Sequence, residues 1–162
     1  MPNDILRRLS LSAFALALAN CGGAATNTPE APAKPRVTKA EDVTAAFAKA
    51  GLKVTDVTVV TDKTDDNQLL GRPGQYTSKV FFYDARHPKS AAEGQGENTV
   101  EVFGTDADAK ARHDYIDQVT KGVPMLLQYQ LRQGRALVRF DKEALPSEVD
   151  EYRKVLAGLD TN

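Results

Sequence analysis

The sequence predicts an α+β fold: an antiparallel sheet with helices packed on one face, in the order α-β-β-β-α-β-β-α. Three observations predict it. Three segments pair a helix-starting polar residue with an apolar stripe of helical period. Five short runs rich in Val, Thr, Phe, Tyr or Leu fall in succession between turn residues. Between two of them stands Gln133-Gly134, at the two-residue spacing of a hairpin, which makes its strands antiparallel.

The elements follow in order. Thr38-Lys39-Ala40-Glu41 has the form of a capping box, and Val43, Ala46, Phe47 and Ala50 then share one helical face. Gly51 stops that helix, predicted over 39–50. Lys53 to Thr61 reads as a strand, and the Asp-, Asn-, Gly- and Pro-rich stretch 62–77 as a loop. Ser78 to Asp84 is apolar on both faces and reads as a central strand. Ala85 to Asn98 is polar, an exposed connection, and Thr99 to Phe103 alternates cleanly. Thr105 with Asp108 forms a second capping box. Ala109, Arg112, Ile116 and Val119 make its stripe, with Tyr115 beside it and Gly122 at its end. Leu126 to Arg132 and Arg135 to Phe140 are the hairpin strands. Ser147, with Asp150, is the expected cap of a last helix whose stripe is Val149, Tyr152, Leu156 and Leu159. Segments 38–61 and 105–132 both read helix, Gly, strand, either a weak repeat or a common α/β connection.

The first residues belong to none of these elements. Arg7 and Arg8 precede an apolar run, Leu9 to Ala19, of eleven residues. That is short of the about 20 residues that span a bilayer, so the segment reads as a secretory signal. Leu18-Ala19-Asn20-Cys21 resembles the lipobox of bacterial lipoproteins, in which the Cys thiol takes a diacylglyceryl group and becomes the N-terminus. Asn20 departs from the small residue usual before that Cys. Ala17-Leu18-Ala19 offers a rival cleavage site that would release a soluble protein. The chain has a single Cys, and it closes the apolar run. Two acyl chains hold a protein stably where one does so only marginally. Gly22 to Arg36 (GGAATNTPEAPAKPR) has no large apolar side chain and reads as a flexible tether. The expected organisation is a signal peptide over 1–20, lipidated Cys21 and tether over 21–36, and one domain over 37–162. The expected location is the extracytoplasmic face of the cell membrane.

Composition narrows the function classes. The 162 residues carry a net charge of −1, which lacks the basic footprint of a nucleic-acid binder. One Cys excludes a disulfide framework and a Cys-rich metal site. His87 lies in a polar loop and His113 in mid-helix, and no Gly-x-Ser-x-Gly elbow is present, so no catalytic residue is assigned. Asp62 to Asn67 (DKTDDN) begins like a calcium loop but has Asn67 and Pro73 where Gly and Glu belong. Gly71-Arg72-Pro73-Gly74 lacks the Gly-Lys-Ser/Thr end of a phosphate loop. No metal or cofactor is expected.

Leu69 to Thr77 (LLGRPGQYT) stands out, because Arg and Tyr carry binding energy at interfaces. Arg72, Gln75 and Tyr76 are its candidate contact residues. In the competing reading the leucines plug the core and Arg72 pairs with a nearby Asp. Asn67 to Val80, Thr99 to Phe103 and the Ala-rich helix to Ile116 resemble a group of small actinobacterial lipoproteins and secreted proteins. The likeness covers residues 38–158. It implies a location and a source, and it brings no catalytic residue. The expected role is a lipid-anchored, non-enzymatic domain that binds an envelope protein or cell-wall component, with the bilayer held through Cys21. The alternatives are an envelope hydrolase using unmarked carboxylates, and an inhibitor of an extracellular enzyme or of phage entry.

Overall fold

The computed structural model describes residues 33–87, 96–123, 126 and 128–162. The expected signal segment, Cys21 and the expected tether as far as residue 32 lie outside these residues, as does Leu127 of the predicted strand 126–132. The elements are α1 (Ala40–Lys49), β1 (Val54–Val59), β2 (Tyr76–Asp84), β3 (Asn98–Phe103), α2 (Asp106–Lys121), β4 (Tyr129–Gln133), β5 (Ala136–Phe140) and α3 (Pro146–Ala157). All neighbouring strands run antiparallel in the order β1-β2-β3-β5-β4. This is the α+β class and the element order that the sequence predicts. No helix among the described residues is long and apolar enough to cross a membrane.

Register sorts the side chains into two faces, because alternate residues of a strand point opposite ways. On the first face Val80, Val100, Val138 and Leu131 form a row across four strands. Against it pack Val43 and Phe47 of α1 and Val149, Tyr152 and Leu156 of α3. Phe47, Phe82, Phe140 and Tyr152 touch ring to ring, with centroids 4.9–6.3 Å apart. On the second face the corresponding row is Lys79, Glu101, Leu137 and Arg132. Here Ala109 and Ile116 of α2 join Tyr76, Phe103 and Leu137 in a smaller core, with Leu69 and Leu70 packed against it.

The expectation of helices on one face therefore holds for α1 and α3 and is corrected for α2. The reason lies in β3, whose six residues are all buried. Glu101 and Phe103 face away from the first core and need a cover of their own. The units 38–61 and 105–132 each end in an edge strand, but their helices lie on opposite faces. Strand β1 is mostly exposed, and a register shift between Thr55 and Thr58, with Asp56 at φ 48°, kinks it. Such a bulge blunts an open edge against pairing with other chains.

Local corrections are small and physical. At α1 the reaching carboxylate is Asp42, not Glu41: its Oδ2 accepts from Thr38 N (2.8 Å), Thr38 Oγ1 (2.7 Å) and Lys39 N (3.1 Å). At α3 Ser147 is inside the helix rather than its cap. Pro146 opens the helix, and Glu148 Oε2 reaches back to Leu145 N at 2.9 Å. Proline suits that first position because its missing N–H would be unpaired there anyway. Thr105 caps α2 as expected, accepting from Asp108 N at 3.1 Å. Along α2, Val119 is exposed, and Thr120 is buried with its hydroxyl on Ile116 O (2.9 Å). The β4–β5 turn is Gly134-Arg135, one residue later than predicted, since Gln133 pairs with Ala136.

The first described segment meets the C-terminal one. Asp160 N donates to Pro35 O (2.9 Å), and Val37 N donates to Asp160 O (2.7 Å). Arg135 ties both to the sheet, donating to Val37 O, Phe103 O and Asn162 O.

Candidate functional site

Helix α2 covers only part of the second face. Where it stops, Lys79 and Phe81 of β2, Thr99 of β3 and Arg139 of β5 floor a cleft of about 370 Å³. Asp66 and Asn67 from the loop before β2, and Leu126 and Gln128 ahead of β4, border it. Register places these residues. Lys79 pairs with Glu101, Phe81 with Thr99, and Thr99 with Arg139.

The floor is charged where a sheet face is ordinarily apolar. Lys79 is 3% exposed and Glu101 is wholly buried, and such residues are rarely buried without a partner. Glu101 has its partners: Oε1 accepts from Arg139 Nη2 (3.2 Å), and its oxygens lie 3.5 Å from Arg112 Nε and Nη2. Asp65 is likewise satisfied, accepting from Leu69 N (2.8 Å), Leu70 N (2.9 Å) and the Tyr76 hydroxyl (2.7 Å). Burial pushes the Asp65 carboxyl up, but these hydrogen bonds and nearby Lys79 outweigh it and hold it below the usual carboxylate range. The same environment drives the Tyr76 phenol well above its usual value.

Lys79 is treated differently. Its Nζ stands 3.7 Å from Asp65 Oδ1 and has no hydrogen bond among the described residues. It sits over the rings of Phe81 (4.6 Å to centroid) and Tyr76 (5.3 Å). Burial depresses its basicity, Arg139 and Arg112 add to that, and Glu101 and Asp65 oppose it. Arg139 reaches Gln128 Oε1 (3.4 Å) with Nη1, while its Nε is buried without a partner. Three cations, Lys79, Arg112 and Arg139, thus share two carboxylates, Glu101 and Asp65. The border of the cleft adds Asp66, Glu97 and Asp141 against Lys142, so positive charge is confined to the floor, where a buried ammonium attracts a negative group more strongly than a surface lysine does.

The residues predicted to bind are dispersed. Arg72 is exposed beside a separate polar depression lined by Asp62, Lys63 and Gln68, and its guanidinium forms no ion pair among the described residues. Gln75 is half-buried in a shallow groove with Leu69, Arg112 and Tyr115. Tyr76 is corrected: its side chain is fully buried, held by Asp65 and edge-on to Phe103, and it presents nothing to a partner. Leu69 and Leu70 do plug a core. Cys21 lies outside the described residues.

A second charged cluster ties β2 to α3. Arg86 donates to both oxygens of Asp84 and to Glu151, Tyr152 donates to Asp84 (2.7 Å), and His87 Nε2 lies 2.5 Å from Glu148 Oε2. The adjoining cavity of about 10 Å³ has room for roughly one water. The cluster's hydrogen bonds pin the end of β2 and the residues after it to α3.

Sequence reasoning missed Lys79, Glu101, Arg112 and Arg139. A signal was present: the apolar runs SKVFFYD, TVEVF and ALVRF each carry one charge in their interior. Read singly, each charge looks like a solvent-facing position. Only pairing brings the three onto one face.

Fold and site together define an α+β antiparallel-sheet domain with a charged cleft floored by a buried lysine and a part-buried arginine. In comparisons with known proteins, the chain matches no family model, no curated protein and no solved structure.

Proposed function

We propose that this chain is a lipid-anchored, non-enzymatic binding domain on the extracytoplasmic face of a bacterial membrane, and that its recognition surface is the cleft on the second face of the sheet. The anchor rests on the apolar run ending at Cys21 and on the tether that follows. The loop 67–80 and the strand 99–103 support placement with the small actinobacterial lipoproteins and secreted proteins. The observation that carries the binding role is Lys79, a buried cation without a hydrogen bond, opening on a cleft. Sites of this kind are where ligands supply the missing partner.

The two alternatives fare less well. A glycosidase-like hydrolase needs one carboxyl poised to give up a proton. Here Glu101 is bracketed by two guanidiniums, and Asp65 is held in its ionised form. An inhibitor presenting a stiff protruding loop needs side chains free of the body, whereas Leu69, Leu70 and Tyr76 are folded into the second core.

The test is crosslinking in cells of the tagged full-length chain, read by mass spectrometry, with Cys21→Ser and Lys79→Met as comparisons. A discrete partner is expected with the parent chain, reduced by both changes, alongside incorporation of a labelled fatty acid that Cys21→Ser abolishes. A partner captured equally by Lys79→Met would move the recognition surface elsewhere. No fatty-acid label would remove the anchor.

A further inference from the structure

We infer that the cleft takes a single carboxylate, carried on an otherwise neutral or cationic molecule, between the Lys79 ammonium and the Arg139 guanidinium. The inference rests on the binding role proposed above and names the ligand chemistry.

The argument is one of unmatched groups. The fold leaves the Lys79 ammonium without a hydrogen bond among the described residues. Glu101 already has two guanidinium partners, and Asp65 already accepts two backbone N–H groups and a phenol. A methionine would fill the space between the Tyr76 and Phe81 rings without the cost of burying an ammonium. Lys79 is therefore a buried ammonium whose carboxylate neighbour, Asp65 at 3.7 Å, stands beyond hydrogen-bond distance, and its N–H donors find no acceptor among the described residues. The Arg139 guanidinium lines the same floor and adds a second cationic donor group. An ammonium and a guanidinium converging on one cleft match a carboxylate, which accepts at both oxygens.

The mouth decides between anions. Among the described residues, Asp66 and Asp141 line it beside Lys142. Those carboxylates repel a polyanion or a doubly charged phosphate and tolerate a molecule whose one negative charge is buried at the floor. Phe81 and Leu126 give that molecule's neutral part an apolar wall. The end of a peptide and the acid group of a sugar both offer this chemistry.

Calorimetric titration of the full-length chain at fixed ionic strength tests it, with N-acetylalanylalanine, its C-terminal amide, glucuronate and inorganic phosphate as probes. One of the two acids is expected to bind, the amide at least about tenfold more weakly, and phosphate more weakly than the acid. Lys79→Met is expected to weaken the acid by about tenfold or more, and Arg153→Gln, exposed on α3, to leave it unchanged. Which acid binds identifies the source. Equal binding of acid and amide, tighter binding of phosphate, or no binding of either acid would each overturn the inference. The acid–amide comparison needs no variant and stands even if Lys79→Met folds poorly. A partner captured in cells together with acid and amide that bind alike would leave the binding role intact and remove only the carboxylate.

Discussion

Tyr76 and Lys79 sit three residues apart on β2 and meet opposite surroundings. The Tyr76 hydroxyl has its acceptor, so Tyr76→Phe deletes one charge-assisted hydrogen bond and leaves Asp65 with only backbone donors. A loss of about 2 kcal/mol in denaturant unfolding is expected, with ligand binding unchanged. Lys79→Met should be neutral or stabilise by about 1 kcal/mol, because a charge leaves a buried site while Asp65 and Glu101 keep their other partners. Glu101→Gln should cost about 3 kcal/mol or more, since two guanidiniums would be left sharing an uncharged amide. Urea unfolding of these three variants separates a charge that holds the fold together from one that burdens it. If Lys79→Met destabilised the chain as much as Glu101→Gln, Lys79 would be structural.

At the scale of elements, Gly134 is where the chain leaves no choice of residue. Its φ is +50°, and a Cβ there would lie 2.5 Å from Thr161 Oγ1 and 2.8 Å from Thr161 O. Gly134→Ala should cost about 2 kcal/mol from the left-handed backbone, with the clash on the C-terminal segment added. Thermal unfolding would report it, and an unchanged midpoint would mean that the C-terminal segment is not clamped. The helices were legible in the sequence because caps and stripes are local: Val43, Phe47, Val149, Tyr152 and Leu156 all point where their spacing says. The exact capping partner was not, because Thr38 and Lys39 offer donors to either Glu41 or Asp42, and only backbone geometry chooses. The face taken by α2 was also hidden. Thr99 to Phe103 alternates like a half-exposed strand, and Glu101 reads as its wet side until Arg112 and Arg139 arrive from distant positions. For the same reason the cleft could not be found from Leu69 to Thr77, where Tyr76 has the composition of a contact residue and the burial of a core one.

Among the described residues, five carboxylates are held below their ordinary range: Asp42, Asp65, Asp84, Glu148 and the exposed Asp114. In the first four, burial pushes upward, and hydrogen bonds from N–H or O–H groups outweigh it. A group whose folded pKa lies below its unfolded value contributes stability above the unfolded value and loses it as pH falls through the folded one. The unfolded values are 3.8 for the aspartates and 4.5 for Glu148. Stability should therefore be level near neutrality and fall steeply below about pH 4, and Asp84→Asn should flatten that fall. Lys79 has the opposite sense: its folded value is depressed, so its ammonium burdens the fold at neutral pH, and stability should rise where that proton is lost. Unfolding free energies measured across the acid limb, parent against Asp84→Asn, check the first statement. Coincident curves would refute it.

The meeting of Pro35 and Val37 with Asp160 also has a mechanical meaning. A pull on residue 33, the direction in which a membrane tether would load the domain, reaches the two hydrogen bonds to Asp160 before it reaches any strand. Arg135, bonded to Val37 O and Asn162 O, takes the next share. Load entering at one end of the chain is thus handed to the other end and to the β4–β5 turn, while the cleft lies outside the path. On the anchored reading proposed above, the domain would be tugged at its root while the cleft kept its shape.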